Sequence, residues 1–293
     1  MRVVGSVSEL HRLADAERAA DRRIALVPTM GALHAGHLSL FELARRHADR
    51  VWVSIFVNPT QFEDPSDLAR YPRRLAADLE RCRAAGVDLA FAPDPGELYP
   101  PGCQTWVEVA ELTRSLCGAS RPGHFRGVAT VVTKLLCAAK PHVAVFGEKD
   151  FQQLAVVRRL ARDLCLDVEI VGAPIVREAD GLALSSRNAN LDPRGRAEAP
   201  CLSRALDAAE RAVAAGERRC AEILRLVADE LSRSPRAEVD YAELRDPATL
   251  EPTADPLAGA ALLALAVRFR AEGGGAVRLI DNRVLRPPGD PGR

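Results

Sequence analysis

The feature that most constrains the fold of this chain is an alternation in its first half, where short apolar runs and stretches of helical periodicity follow one another in turn. Residues 24–27, 51–56, 89–92, 143–146 and 168–171 read as short strands, with 51–56 rich in β-branched and aromatic residues. Residues 38–48 and 74–85 read as helices between them. So does the segment carrying Val128, Val131, Val132, Leu135 and Leu136, which Pro141 ends, and another helix is expected after Asp150. Ahead of the first strand, Ser6-Val7-Ser8-Glu9 has capping-box spacing and opens a helix with Leu10, Leu13 and Ala14. Strands that alternate with helices build a parallel sheet covered on both faces. The expectation is therefore an α/β fold, a Rossmann-like doubly wound parallel sheet, with ligands at the carboxyl ends of its strands.

The second half has a different texture. Residues 193–215 and 217–232 read as two Ala- and Arg-rich helices, the second with Ile223, Leu224, Val227, Ala228 and Leu231 on one face. Strand candidates follow at 239–244, 262–267 and 277–281. This predicts a smaller α+β C-terminal domain over residues 178–286, expected to close over the site of the first domain, residues 1–177. The Pro- and Gly-rich residues 287–293 read as a flexible tail.

Charge and cysteine usage narrow the function classes. Lys plus Arg number 40 and Asp plus Glu number 40, so the basic excess of a nucleic-acid binder is missing. The seven cysteines include no C-x-x-C pair, which argues against a disulfide framework or a zinc site. They read as small buried hydrophobes in a reducing compartment. No window approaches the ~20 apolar residues of a membrane span, and Arg2 is followed by no signal-like apolar run. A cytoplasmic protein without nucleic-acid or membrane partners is expected.

The strongest chemical signal is Pro28-Thr29-Met30-Gly31-Ala32-Leu33-His34-Ala35-Gly36-His37. It follows a strand and opens a helix, where free N–H groups and the helix dipole suit a polyphosphate. Gly31 and Gly36 permit a tight turn and close approach. His34 and His37 can donate to phosphate oxygens and stabilise charge on a departing pyrophosphate. The spacing of the histidines also arises by chance; the strand–turn–helix context is what favours function. Asn58 and Gln61, after the second sheet strand, offer uncharged partners for a carboxylate or hydroxyl, or form a plain Asn-Pro turn. Gly147-Glu148-Lys149-Asp150 again follows a strand. Lys149 suits phosphate, and Asp150 either caps a helix or binds ribose. Ser185-Ser186-Arg187 suits phosphates as well, though such clusters are common on surfaces. Residues 121–127 read as an exposed loop without a catalytic step.

His34-Ala35-Gly36-His37 resembles the HxGH signature of the nucleotidyltransferase superfamily, and the fuller turn is similar to that of the pantothenate synthetases within it. Four further segments support the narrower resemblance: Phe56-Val57-Asn58-Pro59-Thr60-Gln61-Phe62, Arg121-Pro122-Gly123-His124-Phe125-Arg126-Gly127-Val128, Phe146-Gly147-Glu148-Lys149-Asp150-Phe151-Gln152-Gln153-Leu154 and Leu182-Ala183-Leu184-Ser185-Ser186-Arg187-Asn188. Leu279-Ile280-Asp281-Asn282 extends it almost to the end. The resemblance implies an ATP-dependent ligase that makes pantoyl adenylate from pantoate and passes the pantoyl group to β-alanine, giving pantothenate, AMP and pyrophosphate.

By the same resemblance His37, His34 and Lys149 are catalytic, with His37 protonating the departing pyrophosphate. ATP is met by Met30, Gly31, Ala32, Leu33, His34, Ala35, Gly36, His37, Gly147, Glu148, Lys149, Asp150, Val176, Leu184, Ser185, Ser186 and Arg187. Pantoate and β-alanine are met by Gln61, Gln153, Met30, Asn58 and Phe146. Mg²⁺ accompanies ATP, with Asp78 a candidate ligand or a plain solvated helix residue, and a homodimer is implied. Two departures stand out: Thr60 replaces the family's usual Met, and glycines at 273–275 lengthen a turn. Another HxGH adenylyl- or cytidylyltransferase, or a nucleotide-binding protein without activity, are the alternative functions.

Overall fold

The computed structural model describes residues 1–62, 68–69, 71–272 and 274–289. The chain divides into two compact units, one of Met1–Glu148 with Gln152–Pro174, the other of Lys149–Phe151 with Ile175–Arg293.

In the first unit β1 (Arg2–Val4), β2 (Ile24–Thr29), β3 (Arg50–Ile55), β4 (Leu89–Phe91), β5 (Val143–Gly147) and β6 (Glu169–Ala173) form one sheet. Their order is β1-β4-β3-β2-β5-β6, and every pairing is parallel. From β2 the chain winds outward through β3 and β4, then returns to lay β5 and β6 on the opposite side of β2. The winding reverses between β2 and β5, which makes the carboxyl ends of these two strands a topological switch point and a natural ligand crevice. Ile24, Ala25, Leu26 and Val27 are all buried, as expected of a central parallel strand with both faces covered.

Helices α1 (Val7–Ala19), α2 (Ala35–His47), α3 (Leu75–Ala84), α4 (Pro95–Leu98), α5 (Leu116–Ser120), α6 (His124–Ala139) and α7 (Phe151–Asp163) belong to this part of the chain. Ser6 caps α1 by accepting the Glu9 N–H, as the capping-box spacing implies. On one face of the sheet Phe41 and Ala44 of α2 pack into a cluster with Val27, Val53 and Val145. This seats α2, and so the turn ahead of it, directly on β2, β3 and β5. Helix α6 closes with Lys140 in the left-handed region (φ 43°), one residue before Pro141. The short edge strand β1 was not expected from sequence, because three residues give no period to read.

The second unit holds α8 (Pro193–Glu198), α9 (Cys201–Ala214), α10 (Cys220–Ser232), β7 (Ala237–Arg245), β8 (Ala261–Arg270) and β9 (Ala276–Leu285). The three strands form an antiparallel meander. One face packs Leu263, Leu265 and Val267 against Leu202, Leu206, Ile223 and Val227 of α9 and α10. The single helix expected over 193–215 is two, because Pro200 lacks the N–H that a continuous helix needs and stands instead at the N-cap of α9. The expected glycine-rich turn joins β8 to β9. Gly274 and Gly275 both have positive φ, at 87° and 82°, whereas Gly273 lies outside the described residues, as do residues 290–293 of the expected tail.

All seven cysteines are free. Cys82, Cys117 and Cys201 are buried as expected, but Cys137 and Cys165 are exposed.

Candidate active site

The turn between β2 and α2 sits at the switch point, and its geometry departs from the expected amide cradle. Gly31 (φ 83°) and Ala32 (φ 51°) both occupy the left-handed region, at a cost of about 1 kcal/mol for the alanine. The N–H groups that a phosphate was expected to meet are engaged internally. Gly31 N–H donates to Thr29 Oγ1 at 3.2 Å. Ala32 and Leu33 donate to the two carboxylate oxygens of Asp78, both at 2.9 Å. Asp78 is only 1% exposed, so it is not a solvated helix residue.

The two histidines cap α2 reciprocally. His34 Nδ1 accepts the Gly36 N–H at 3.1 Å, and His37 Nδ1 accepts the His34 N–H at 3.3 Å. This is a capping box built from imidazoles, with ring centroids 4.2 Å apart. Because each Nδ1 acts as an acceptor, the proton of the neutral ring resides on Nε2. Each ring therefore meets its partners as an Nε2–H donor, held at the positive end of a helix.

At the end of β3, Asn58 and Gln61 are buried, at 1% and 8% exposure. Asn58 Nδ2 donates to Gln61 Oε1 and to the Gly127 carbonyl, both at 3.1 Å. Gln61 Nε2 donates to Met30 Sδ at 3.0 Å, which links this loop to the histidine turn. Thr60 joins the same network. Its hydroxyl donates to Asn58 Oδ1 at 2.9 Å and lies 3.1 Å from Tyr99 Oη. The residue that departs from the family pattern thus supplies polar contacts that a methionine cannot make.

Residues 121–127 are more than the expected exposed loop. Helix α6 already begins at His124, which is buried. His124 Nδ1 donates to the Gln61 carbonyl at 2.9 Å, and Arg121 Nη2 donates to the same oxygen at 3.2 Å. A Cβ on Gly127 would stand 2.5 Å from Thr60 O and 2.8 Å from Gln61 N. The Gln61 backbone therefore lies directly on the first turn of α6. The signal for this role in the sequence is Gly127, a glycine at the start of an otherwise strongly helical stretch.

At the end of β5, Phe146 is buried, while a Cβ on Gly147 would meet nothing within 4 Å. On the first turn of α7, Gln152 is buried and its Nε2 donates to the Leu112 and Ser115 carbonyls at 2.9 and 2.7 Å. Gln153 beside it is half-buried. Gln152 is thus spent on anchoring a loop.

The second unit carries the remaining candidates. Lys149 and Ser185 line one small cavity together with Asn188 and Asp281. Asn282 Nδ2 holds the Lys149 carbonyl at 2.9 Å. Ser185 caps the turn of Ser186–Asn190 by accepting the Arg187 N–H at 3.2 Å. Leu184 N–H donates to the Val176 carbonyl at 2.9 Å. Arg177 and Ala183 bridge the same hairpin. A bidentate pair then ties it to β9: Arg177 Nη1 and Nη2 donate to Asp281 Oδ2 and Oδ1 at 2.6 and 3.0 Å.

The buried Cys82 thiol, one turn along α3 from Asp78, is not primed as a nucleophile. Burial, aided by the nearby Asp78 carboxylate, pushes the Cys82 thiol up to about 11, so it stays protonated at neutral pH.

A doubly wound sheet whose switch point carries a glycine turn and two helix-capping histidines defines the HxGH class of nucleotide-handling α/β proteins. Within that class, the chain belongs to the pantoate–β-alanine ligase family, whose model matches residues 2–284. The pantothenate synthetase of Syntrophobacter fumaroxidans is 55% identical over 98% of this chain and 99% of its own length. That of Geobacter sulfurreducens is 52% identical over 97% and 99%. Among solved structures, pantothenate synthetase from Thermus thermophilus superposes with a TM-score of 0.89 at 48% identity, covering 98% of this chain and 100% of the other. The pantoate-beta-alanine ligase from Francisella tularensis, solved with beta-gamma ATP and beta-alanine, gives 0.77 at 33% identity over 97% of each chain.

Proposed function

We infer that this chain is an ATP-dependent ligase that condenses pantoate with β-alanine. The single observation that carries the reading is the imidazole capping box at the switch point, in a chain matched to this ligase family over nearly its whole length. In the first step a carboxylate oxygen of pantoate attacks the α-phosphorus of ATP, and the bond to pyrophosphate breaks. In the second, the free amine of β-alanine attacks the acyl carbon, the acyl–oxygen bond breaks, and AMP leaves with that oxygen. No covalent enzyme intermediate is needed; alignment and charge stabilisation supply the catalysis.

His34 and His37 serve the phosphates as Nε2–H donors. Because each Nδ1 already accepts an amide N–H, His37 stabilises the departing pyrophosphate by hydrogen bonding and, against the expectation from the resemblance, does not give up its one ring proton. Gln61, fixed by Asn58, Met30 and the α6 turn, takes a polar group of pantoate and the incoming amine; Gln153 takes pantoate, and Met30 and Phe146 pack its methyls. The resemblance adds Lys149, Ser185, Ser186 and Arg187 on the phosphates, and Gly147, Asp150, Val176 and Leu184 on the nucleoside side.

Mg²⁺ is expected to enter as the ion of ATP. The described residues include no group of three or more His, Cys, Asp or Glu placed to hold a metal. Both oxygens of Asp78 are already taken by backbone amides. No step here runs through a protein-held ion. A homodimer and a cytoplasmic setting complete the proposal; light scattering at twice the chain mass tests the first. No helix among the described residues is long and apolar enough to cross a membrane.

The test is pyrophosphate release from ATP with pantoate, with and without β-alanine. Release that needs pantoate, and pantothenate that needs β-alanine, supports the ligase. Transfer to a different acceptor would instead support another HxGH transferase, and no release with any acceptor a binding protein.

Two further outcomes follow from the geometry. Gly127→Ala pushes the Gln61 turn away from α6; it is expected to destabilise the fold by about 1–3 kcal/mol and to raise KM for pantoate. A thermal melt and steady-state kinetics check this, and an unchanged melt and KM would refute the clash. Alkylation of the exposed Cys137 and Cys165 under native conditions is expected to leave turnover unchanged, checked by mass spectrometry and activity on the same sample. Complete inactivation at stoichiometric labelling would reveal a thiol role that this geometry lacks.

A further inference from the structure

The Asp78 carboxylate occupies the place where an amide-rich turn would ordinarily hold an anion. Its two oxygens accept the N–H groups of Ala32 and Leu33, each at 2.9 Å. One turn further along α3, the Arg81 guanidinium donates to the Leu33 carbonyl. Donor and acceptor of the same short segment are therefore gripped from one helix face, at i and i+3. The fit leaves no slack, because a Cβ on Gly31 would stand 2.9 Å from Asp78 Oδ2. The segment so held includes Ala32 in its costly left-handed conformation, and it leads straight into the paired histidines.

We propose that Asp78 is a positioning residue: it fills the amide pocket of the turn, sets the backbone from which His34 and His37 project, and is not a ligand of Mg²⁺. This rests on the ligase reading for the roles of the histidines. Phosphate recognition by this turn then runs through imidazole Nε2–H groups, since the amides of Gly31, Ala32, Leu33, His34 and Gly36 are committed inside the protein. The buried negative charge also lies at the N-terminal end of α2, where the helix dipole favours it.

The test compares wild type with Asp78→Asn and Arg81→Met. Asparagine turns one accepting oxygen into an NH₂ that faces an N–H donor, so the turn must open. Three readouts are taken. The imidazole NMR signals of the ligand-free proteins are expected to shift at His34 and His37 in both variants. ATP binding by calorimetry in the presence of a chelator is expected to weaken by about tenfold or more for Asp78→Asn, and by less for Arg81→Met. The Mg²⁺ concentration for half-maximal turnover is expected to stay at the wild-type value.

Unshifted imidazole signals with metal-free ATP binding intact, and a several-fold higher Mg²⁺ requirement in Asp78→Asn, would overturn the proposal in favour of a metal ligand. Should Asp78→Asn not fold, Arg81→Met carries the comparison, since it loosens the same segment and bears no metal-binding group. The NMR readout needs no substrate. Failure of the ligase reading would show in wild-type turnover, and failure of the clamp in the ligand-free spectra.

Discussion

Replacing Asp281 with alanine is expected to lower the stability of the second unit by about 3–5 kcal/mol, the cost of leaving a partly buried guanidinium without its partner. Asp281 is 3% exposed, and its carboxylate accepts both Arg177 nitrogens as well as the Asn282 N–H at 2.8 Å. Removing it strands Arg177, which is mostly buried. The double variant Arg177→Met/Asp281→Leu removes the charges together and should lose far less. Urea unfolding of the two variants measures the difference; a loss under about 1 kcal/mol for Asp281→Ala would show that water reaches the pair freely. Function should fall with stability, because the pair anchors the hairpin between Val176 and Leu184 that leads into Ser185–Arg187.

Replacing His37 with alanine is expected to cut kcat by about 10²–10³ while leaving KM for pantoate near its wild-type value. The reduction combines loss of an Nε2–H donor at the phosphates with loss of half of the capping box. The capping part alone is worth about 1 kcal/mol, so it cannot account for the whole expected drop. Pantoate binding should be spared because Gln61 is fixed by Asn58, Met30 and α6, not by His37. Steady-state pyrophosphate release with each substrate varied separates the two constants. A kcat within about threefold of wild type would remove His37 from the chemistry.

Much of this was legible in the sequence. The alternation of Val- and Ile-rich runs with helical periods yields the parallel sheet because parallel strands are buried on both faces and read as unbroken apolar stretches. The residues after those strands could be picked out because ligands gather at strand carboxyl ends. Side-chain commitments were not legible. Nothing in the spacing shows that the N–H groups of Ala32 and Leu33 are spent on Asp78, since that contact spans forty-six residues in sequence from Ala32. Nor does spacing show that His124 holds the Gln61 carbonyl, or that Asp281 is spent on Arg177. The break at Pro200 was written in the sequence and was overridden by the Ala-rich periodicity on either side. Strand β1 is too short for a period and depends on β4 for its pairing.

The ligase mechanism is tested most directly by following the carboxylate oxygens of pantoate. Pantoate labelled with heavy oxygen in its carboxylate is turned over with ATP and β-alanine, and the products are weighed by mass spectrometry. An acyl adenylate requires one labelled oxygen to appear in AMP and the other to stay in the amide carbonyl of pantothenate. AMP formed without label while pantothenate accumulates would contradict attack of the carboxylate on the α-phosphorus, and with it the role given to the histidine turn.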